Sequence, residues 1–303
     1  MRLYVGVTDS NWFNRLSAAQ PDEVNFWKPG EGGSFNVLQT GELFLFKLHA
    51  PQNFIVGGGH FVKFSKLPAS LAWQAFGEKN GVGSFSEFLS RIRKYRKEDP
   101  GHDPTIGNIV LTQPFWLQRD DWIPAPADWP KSTVQGKGYD ALDGRGFQLL
   151  AQVQERVGVA FSAGTIQEST PRYGTAVAQY RLGQGGFKVL VTDAYQRRCA
   201  ITGESTLPVL EAAHIKPYST EGPHDLRNGL LLRSDMHTLF DRGFLTVTPE
   251  LRLEVSSQIR EQYSNGKVYY SYHGAELKSL PTFDADKPSS EFLDWHNQHV
   301  FVP

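Results

Sequence analysis

The stretch VLEAAHIKPYSTEGPHDLRNGLLLRSDMHTLFD, residues 209–241, leaves few folds open. Val209 to Ile215 reads as a strand and Lys216 to Arg227 as a polar loop punctuated by proline and glycine. A second strand follows from Gly229 to Leu232, then a helix from Ser234 to Phe240. Ser234 is placed to cap that helix, and Asp235 falls in its first turn, where a negative charge suits the helix dipole. Three of the nine histidines sit in this segment. His237 and Asp241 are four apart, so they share a helical face and can reach one point. An imidazole and a carboxylate meeting there form half a shell for a divalent cation. His214, near the end of the first strand, can face that point across the hairpin. Its imidazole titrates near neutrality and can take a proton from an attacking water. A bound cation can stabilise charge developing on a phosphate, so the set suits phosphodiester hydrolysis. Asn228, at a loop-to-strand junction, suits hydrogen bonds that hold the loop and with it His214.

The words CAITG, EAAHIKPYS and LRNGLLLRSDMHTLFDRG follow one another between Cys199 and Gly243. With His214, Asn228 and His237 inside them, they resemble the HNH, or ββα-metal, endonuclease family. The resemblance extends more weakly to RLGQGGFKVLVTDAYQRR upstream and to the C-terminal tail. It implies His214 as general base, Asn228 as the loop-fixing residue and His237 as metal ligand. Asp241 falls where some members place a further ligand; pairing with Arg242 or with solvent is its other reading. Many members carry an Asp or His just before the catalytic histidine, whereas this chain has Ala213. Coordination then rests on His237, Asp241 and waters, or borrows Glu211 or His224. The expected cofactor is one divalent metal ion, Mg2+ or else Mn2+. Many relatives also have a zinc site of two Cys-x-x-Cys pairs; the single cysteine, Cys199, rules that out, so no structural zinc is expected.

A motif of this size leaves most of a 303-residue chain unexplained. The length suits two domains, each with its own core. Hydrophobic residues at 40% and charged ones at 21% indicate a globular protein. With a net charge of −1, any phosphate-binding surface must be local. No apolar run reaches the roughly 18 residues of a membrane span, and MRLYVGVTDS lacks a signal-peptide pattern. A cytoplasmic protein without membrane contact is expected.

Upstream, Leu3–Val7 reads as a strand, followed by a loop carrying Trp12, Phe13, Phe26 and Trp27. Strands are expected at Glu42–Leu48, Phe54–Val56, Phe61–Phe64 and through IGNIVLTQPFWL, with glycines 57–59 marking a bulge or a close backbone approach. Ser84 to Lys97 reads as an amphipathic helix with a basic end, and another helix runs from near Gly146 to Val157. Helix is also expected over Gly186–Ala194, strands at Leu251–Val255 and Lys267–Tyr272, and a last helix around Ser290–His299.

The segments FWKPG, GELFLFKL, FIVGGGHF and IGNIVLTQPFW resemble the PUA-like superfamily, which includes EVE, ASCH and SRA domains. This resemblance implies a small β-barrel that recognises modified bases. A flipped base is held by stacking and by contacts to its edge. The candidates are Trp12, Phe26, Trp27 and Trp116 for stacking and Asn25, Asn36, His60 and Asn108 for the edge. Each aromatic is equally a core residue, because barrels need large interior side chains. Arg91, Arg93, Lys94, Arg96 and Lys97 are candidates for phosphate contact, or else a solvated helix end.

The expectation is therefore an α+β protein. Residues 1–160 would form a PUA-like β-barrel with flanking helices, 161–180 a linker, and 181–303 a ββα-metal HNH domain with a C-terminal extension. Its implied activity is modification-dependent cleavage of double-stranded DNA, with a homodimer supplying a second active site. Two other readings stand beside it: a nucleic-acid-binding protein with an inactive HNH fold, and a nuclease whose N-terminal domain binds RNA or a protein.

Overall fold

In the computed structural model the described residues are 1–30, 33–96, 101–130, 132–133, 135–158 and 182–303. The expected linker at 161–180 and Lys97 lie outside them. The chain divides into two compact units, the first taking the described residues to 158 with 182–186, the second 187–303. The architecture is α+β.

The first unit is built on a seven-stranded sheet. Its strands are β1 (Arg2–Thr8), β2 (Glu23–Lys28), β3 (Leu43–Leu48), β4 (Phe54–Pro68), β5 (Thr105–Trp116), β6 (Ile123–Pro124) and β7 (Gly136–Asp140). They run in the order β2-β5-β4-β3-β1-β7, with β6 on β4, and among the described residues no pairing joins β2 to β7. The barrel read from the sequence is therefore present as a sheet whose pairing path is open among the described residues. Among the described residues only β1 and β3 pair in parallel.

The triple glycine lies inside β4 and serves both purposes expected of it. The register with β5 shifts between Gly58 and His60. A Cβ on Gly57 would lie 2.3 Å from the Phe115 carbonyl oxygen, and one on Gly58 2.7 Å from that of Phe44. Only a residue without a side chain admits such an approach.

One expectation for this unit is corrected. The segment read as a loop carrying Trp12, Phe13, Phe26 and Trp27 is helix α1 (Ser10–Ala19) followed by β2. Asp9 caps α1 by accepting the N–H of Trp12 at 2.9 Å, and Trp12, Phe13 and Leu16 form its buried stripe. Phe26 and Trp27 sit in β2, paired with Ile109 and Asn108 of β5. Helices α2 (Ala69–Phe76) and α3 (Phe85–Tyr95) follow β4; Ser84 caps α3, and Phe88 and Ile92 are its buried face. Helix α4 (Gly144–Val157) begins two residues before the expected start, behind the Asp143 cap.

The second unit contains α5 (Gln184–Ala194, from Phe187 on), β8 (Leu210–His214), β9 (Gly229–Arg233), α6 (Ser234–Asp241), β10 (Leu245–Val247), β11 (Leu253–Val255), α7 (Gln258–Tyr263), α8 (Lys267–Tyr270) and α9 (Ser290–His299). Strand–loop–strand–helix is found at 210–241, each boundary within a residue of the expected one. Ser234 is the first helical residue rather than the cap; its carbonyl accepts the Thr238 hydroxyl at 2.9 Å. The strand expected at Lys267–Tyr272 is helix α8 instead, because Gly266, at φ 106, turns the chain and accepts the N–H of Tyr269 and Tyr270. The Tyr270 hydroxyl then donates to Ser256 O at 2.7 Å. Leu251, at φ 63, belongs to the turn before β11.

His296 of α9 is buried, stacked on Phe240 at 3.8 Å, with its ring nitrogens 2.8 Å from Thr246 Oγ1 and 3.2 Å from Phe240 O. Burial pulls its pKa from 6.5 to about 4, against the opposing pull of the Phe240 carbonyl. An unfolded imidazole titrates near 6.5, so between those values the unfolded chain binds more protons. Stability present above pH 6.5 is thus lost as pH falls through 4, by on the order of 3 kcal/mol for this group. Thermal melts should be level above pH 7 and fall steadily below 6.5, less steeply in His296→Gln. A melting temperature unchanged between pH 7 and 4 would refute this.

Candidate active site

The hairpin β8–β9 and helix α6 form one layer over an apolar core. Leu230, Leu231, Leu232, Met236 and Phe240 are all fully buried. Hydrophobic burial there fixes the polar edge of the hairpin against the helix. Helix α5 packs on the start of β9, where a Cβ on Gly229 would lie 2.5 Å from Val191 and 3.1 Å from Phe187. Gly229 has an extended backbone, so close approach is what requires glycine here. Phe187 of α5 stacks on the His214 ring at 3.9 Å, 12° from parallel.

Asn228 is completely buried and ties the loop at both ends. Its Oδ1 accepts the N–H of Lys216 at 2.8 Å, while Nδ2 donates to Lys216 O and Pro223 O, each at 2.9 Å. Its own carbonyl accepts the N–H of Ile215.

His237 lies between two carboxylates. Its Nδ1 is 2.6 Å from Glu211 Oε2 and its Nε2 is 3.3 Å from Asp241 Oδ2. Glu211 and Asp241 are half-exposed, whereas His237 is largely covered. The Asp241 carboxyl is raised above its ordinary range, first by burial and further by the Glu211 charge, against the pull of His237. Glu211 is two residues from Ala213 and so on the same strand face. Ala213 itself is fully buried in the core, whereas the Glu211 carboxylate lies against His237 Nδ1.

His214 and His224 meet at 2.9 Å, Nε2 to Nδ1. Burial, then the charges of His224, His237 and Lys188, lowers the His214 pKa from 6.5 to about 4. The imidazole is therefore neutral at physiological pH. His224, read from the sequence only as a loop residue or a borrowed ligand, has no periodic or spacing signal to mark it.

The residues around His237 suit a hard divalent cation in donor type. Two ligand atoms each about 2.1 Å from one octahedral ion stand roughly 3 Å apart, close to the 3.3 Å between His237 Nε2 and Asp241 Oδ2. Glu211 at Nδ1 would hold the tautomer with the Nε2 lone pair available. The shell is partial: among the described residues no three His, Cys, Asp or Glu side chains converge as a metal cage. Cys199 is buried, and its sulfur receives the N–H groups of Thr202 and Arg233 at 3.4 and 3.3 Å.

The candidates of the first unit are not gathered in one place. Trp12 and Phe26 are buried in one aromatic core, with Trp116 packed against it. The Trp116 Nε1–H is buried and has no hydrogen-bond partner among the described residues. Trp27 packs edge-on to Phe88 of α3, its Nε1 donating to Asn80 O at 3.0 Å. Asn25 and Asn108 are buried and joined, the Asn25 Nδ2 donating to Asn108 Oδ1 at 2.7 Å. Asn36 is exposed, and His60 Nδ1 lies 3.1 Å from Gly41 O. Arg91 is paired with Glu87 at 3.0 Å and Asp9 at 3.4 Å, and Arg96 is bonded to Pro29 O and Thr105 O. Arg93 and Lys94 are exposed. Among the described residues no helix is long and apolar enough to cross a membrane.

Comparison with known proteins gives one family model, described as HNH endonuclease (HNH_2), matching residues 199–248. No curated protein matches the chain. Among solved structures, a mutant ASCH protein from Zymomonas mobilis is 9% identical over 50% of this chain and 97% of its own, with a TM-score of 0.35. A modification-dependent TagI restriction endonuclease is 14% identical over 92% of this chain and 75% of its own, at 0.28. The Type IV phosphorothioation-dependent restriction endonuclease ScoMcrA is 11% identical, at 0.21, and this chain covers 46% of its length. Residues 199–248, which span the paired strands, the Asn228-tied loop and the helix carrying His237, are thus the part of the chain that matches the HNH endonuclease family model.

Proposed function

We propose that the chain is a metal-dependent endonuclease that hydrolyses phosphodiester bonds in double-stranded DNA. The observation that carries this is His237 held between two carboxylates, its charge felt by His214, which ends β8 next to a loop tied by a buried asparagine. His214, neutral at working pH, takes the proton of the attacking water. Asn228 holds the loop ends that frame it. Glu211 fixes the ring of His237, which with Asp241 would hold Mg2+ or Mn2+. When bound, the cation would stabilise charge on the phosphate and the leaving oxygen. In isothermal calorimetry the wild type should bind one Mn2+ per chain, and His237→Ala should lose that binding while its melting curve is retained. Equal binding by the variant would remove His237 from the site.

The N-terminal unit, residues 1–160, is proposed to read a modified base and deliver the duplex to the nuclease. The segments that resemble PUA-like proteins form β2, β5, β4 and β3, four consecutive neighbours in one sheet, which supports the reading. Trp27, Asn36 and His60 are the base-contact candidates, since Trp12 and Phe26 are committed to packing. Arg93 and Lys94 are the phosphate-contact candidates. Cleavage assays on DNAs carrying different modified cytosines and adenines, against unmodified DNA, test it. Selective cutting of one modified substrate is expected; equal cutting of all would end the sensing proposal and leave the nuclease one standing.

A further inference from the structure

Between His214 Nε2 and His224 Nδ1, 2.9 Å apart, there is one proton for two nitrogens. If His224 donates, a neutral His214 carries its own proton on Nδ1 and has no lone pair to offer a water. If His214 donates from Nε2, its Nδ1 keeps the lone pair. The geometry points to the second arrangement: His224 is a positioning residue whose Nδ1 accepts the Nε2–H of His214 and holds that ring in its base-competent tautomer. This rests on the reading of His214 as general base. When His214 Nδ1 takes the proton from water, the resulting imidazolium still donates Nε2–H to His224. No proton passes between the rings, and the positive charge stays on His214.

Independent contacts fix the position of the His224 ring. Tyr218 stacks on the His224 ring at 4.6 Å, within 6° of parallel, although Tyr218 is otherwise 68% exposed. Phe187, which stacks on His214, also lies 5.8 Å from the His224 ring. The residue before His224 is Pro223, whose carbonyl accepts from Asn228. The same asparagine therefore anchors both ends of the segment between the two histidines, at Lys216 and at Pro223. A tautomer selected by what the other nitrogen touches is the usual way a protein prepares a histidine base.

Two substitutions separate acceptance from stacking. His224→Asn sets an amide oxygen near the Nδ1 position, able to accept but not to stack as an imidazole does. His224→Phe stacks on Tyr218 but accepts nothing. Under saturating Mn2+, with DNA cleavage measured as kcat and KM separately, His224→Phe should lose about 10- to 100-fold in kcat with KM little changed. His224→Asn should recover most of that loss. Both should bind Mn2+ as the wild type does in calorimetry, because His224 is not a ligand here. If His224→Asn is no more active than His224→Phe, or if His224→Phe loses Mn2+ binding, the assignment is overturned. His214→Ala, run alongside, distinguishes the failures: undiminished cutting by that variant removes the general base, and the tautomer argument with it.

Discussion

His214→Ala should abolish nearly all DNA cleavage, lowering kcat by about 10²–10⁴-fold, which is the usual contribution of a positioned acid–base group. At 1.36 kcal/mol per decade, the loss corresponds to roughly 3–5 kcal/mol of transition-state stabilisation. The side chain is only partly buried and packs face-on against Phe187, so the variant should stay folded. A second reading of the same residue comes from pH. The base works unprotonated, and its pKa lies at about 4 because burial, then the charges of His224, His237 and Lys188, disfavours the imidazolium. At saturating metal, kcat should therefore climb with pH through about 4 and be level by 6.5. An acid limb centred near 6.5 would contradict the buried environment described for His214, and full activity in His214→Ala would remove the residue from the chemistry.

The largest effect on stability is expected at Asn228. Truncation to alanine strips partners from the Lys216 N–H, the Lys216 carbonyl and the Pro223 carbonyl at a fully buried site. Each unsatisfied buried group costs about 1–3 kcal/mol, and incomplete relaxation makes the sum less than additive. A loss of about 3 kcal/mol is expected, a large share of the 5–15 kcal/mol typical of a domain. Asn228→Ala should also lower cleavage by at least tenfold, since the loop that frames His214 and His224 loses both anchors. Urea unfolding of the wild type and variant, followed alongside cleavage, checks both; an unchanged midpoint would show that the loop is held by something else.

The ββα segment was legible because its chemistry and its packing impose separate patterns on the same residues. The run Leu230–Leu232 had to be apolar to fill the core, and the four-residue spacing of His237 and Asp241 had to match a helix. What escaped depended on distant partners. Glu211 and His224, named from the sequence only as alternative ligands, find their partners when the hairpin and loop close on His237 and His214, across 26 and 10 residues. Arg91 looked available for phosphate, yet Asp9, 82 residues away, shares it with Glu87. The aromatics around Trp12 suited a pocket or a core equally well, and only the helical stripe set by the Asp9 cap turns Trp12 and Phe13 inward. At Lys267–Tyr272, strand propensity yields to hydrogen bonds on the Gly266 carbonyl.

Asn228–Gly229 also bears on how the protein ages. A glycine after asparagine leaves its backbone nitrogen unhindered to attack the side-chain amide carbonyl; ammonia departs, and water opens the resulting cyclic imide to a carboxylate. In the folded protein that amide is held on three sides, so the attack is blocked while the loop is latched. Every excursion to the unfolded state releases it. A carboxylate at 228 has no N–H to offer the carbonyls of Lys216 and Pro223 and would face both with negative charge. The residue that secures the loop is thus also a clock: chains that have unfolded often accumulate a lesion that prevents the loop from closing again, and loss of activity becomes permanent through covalent change.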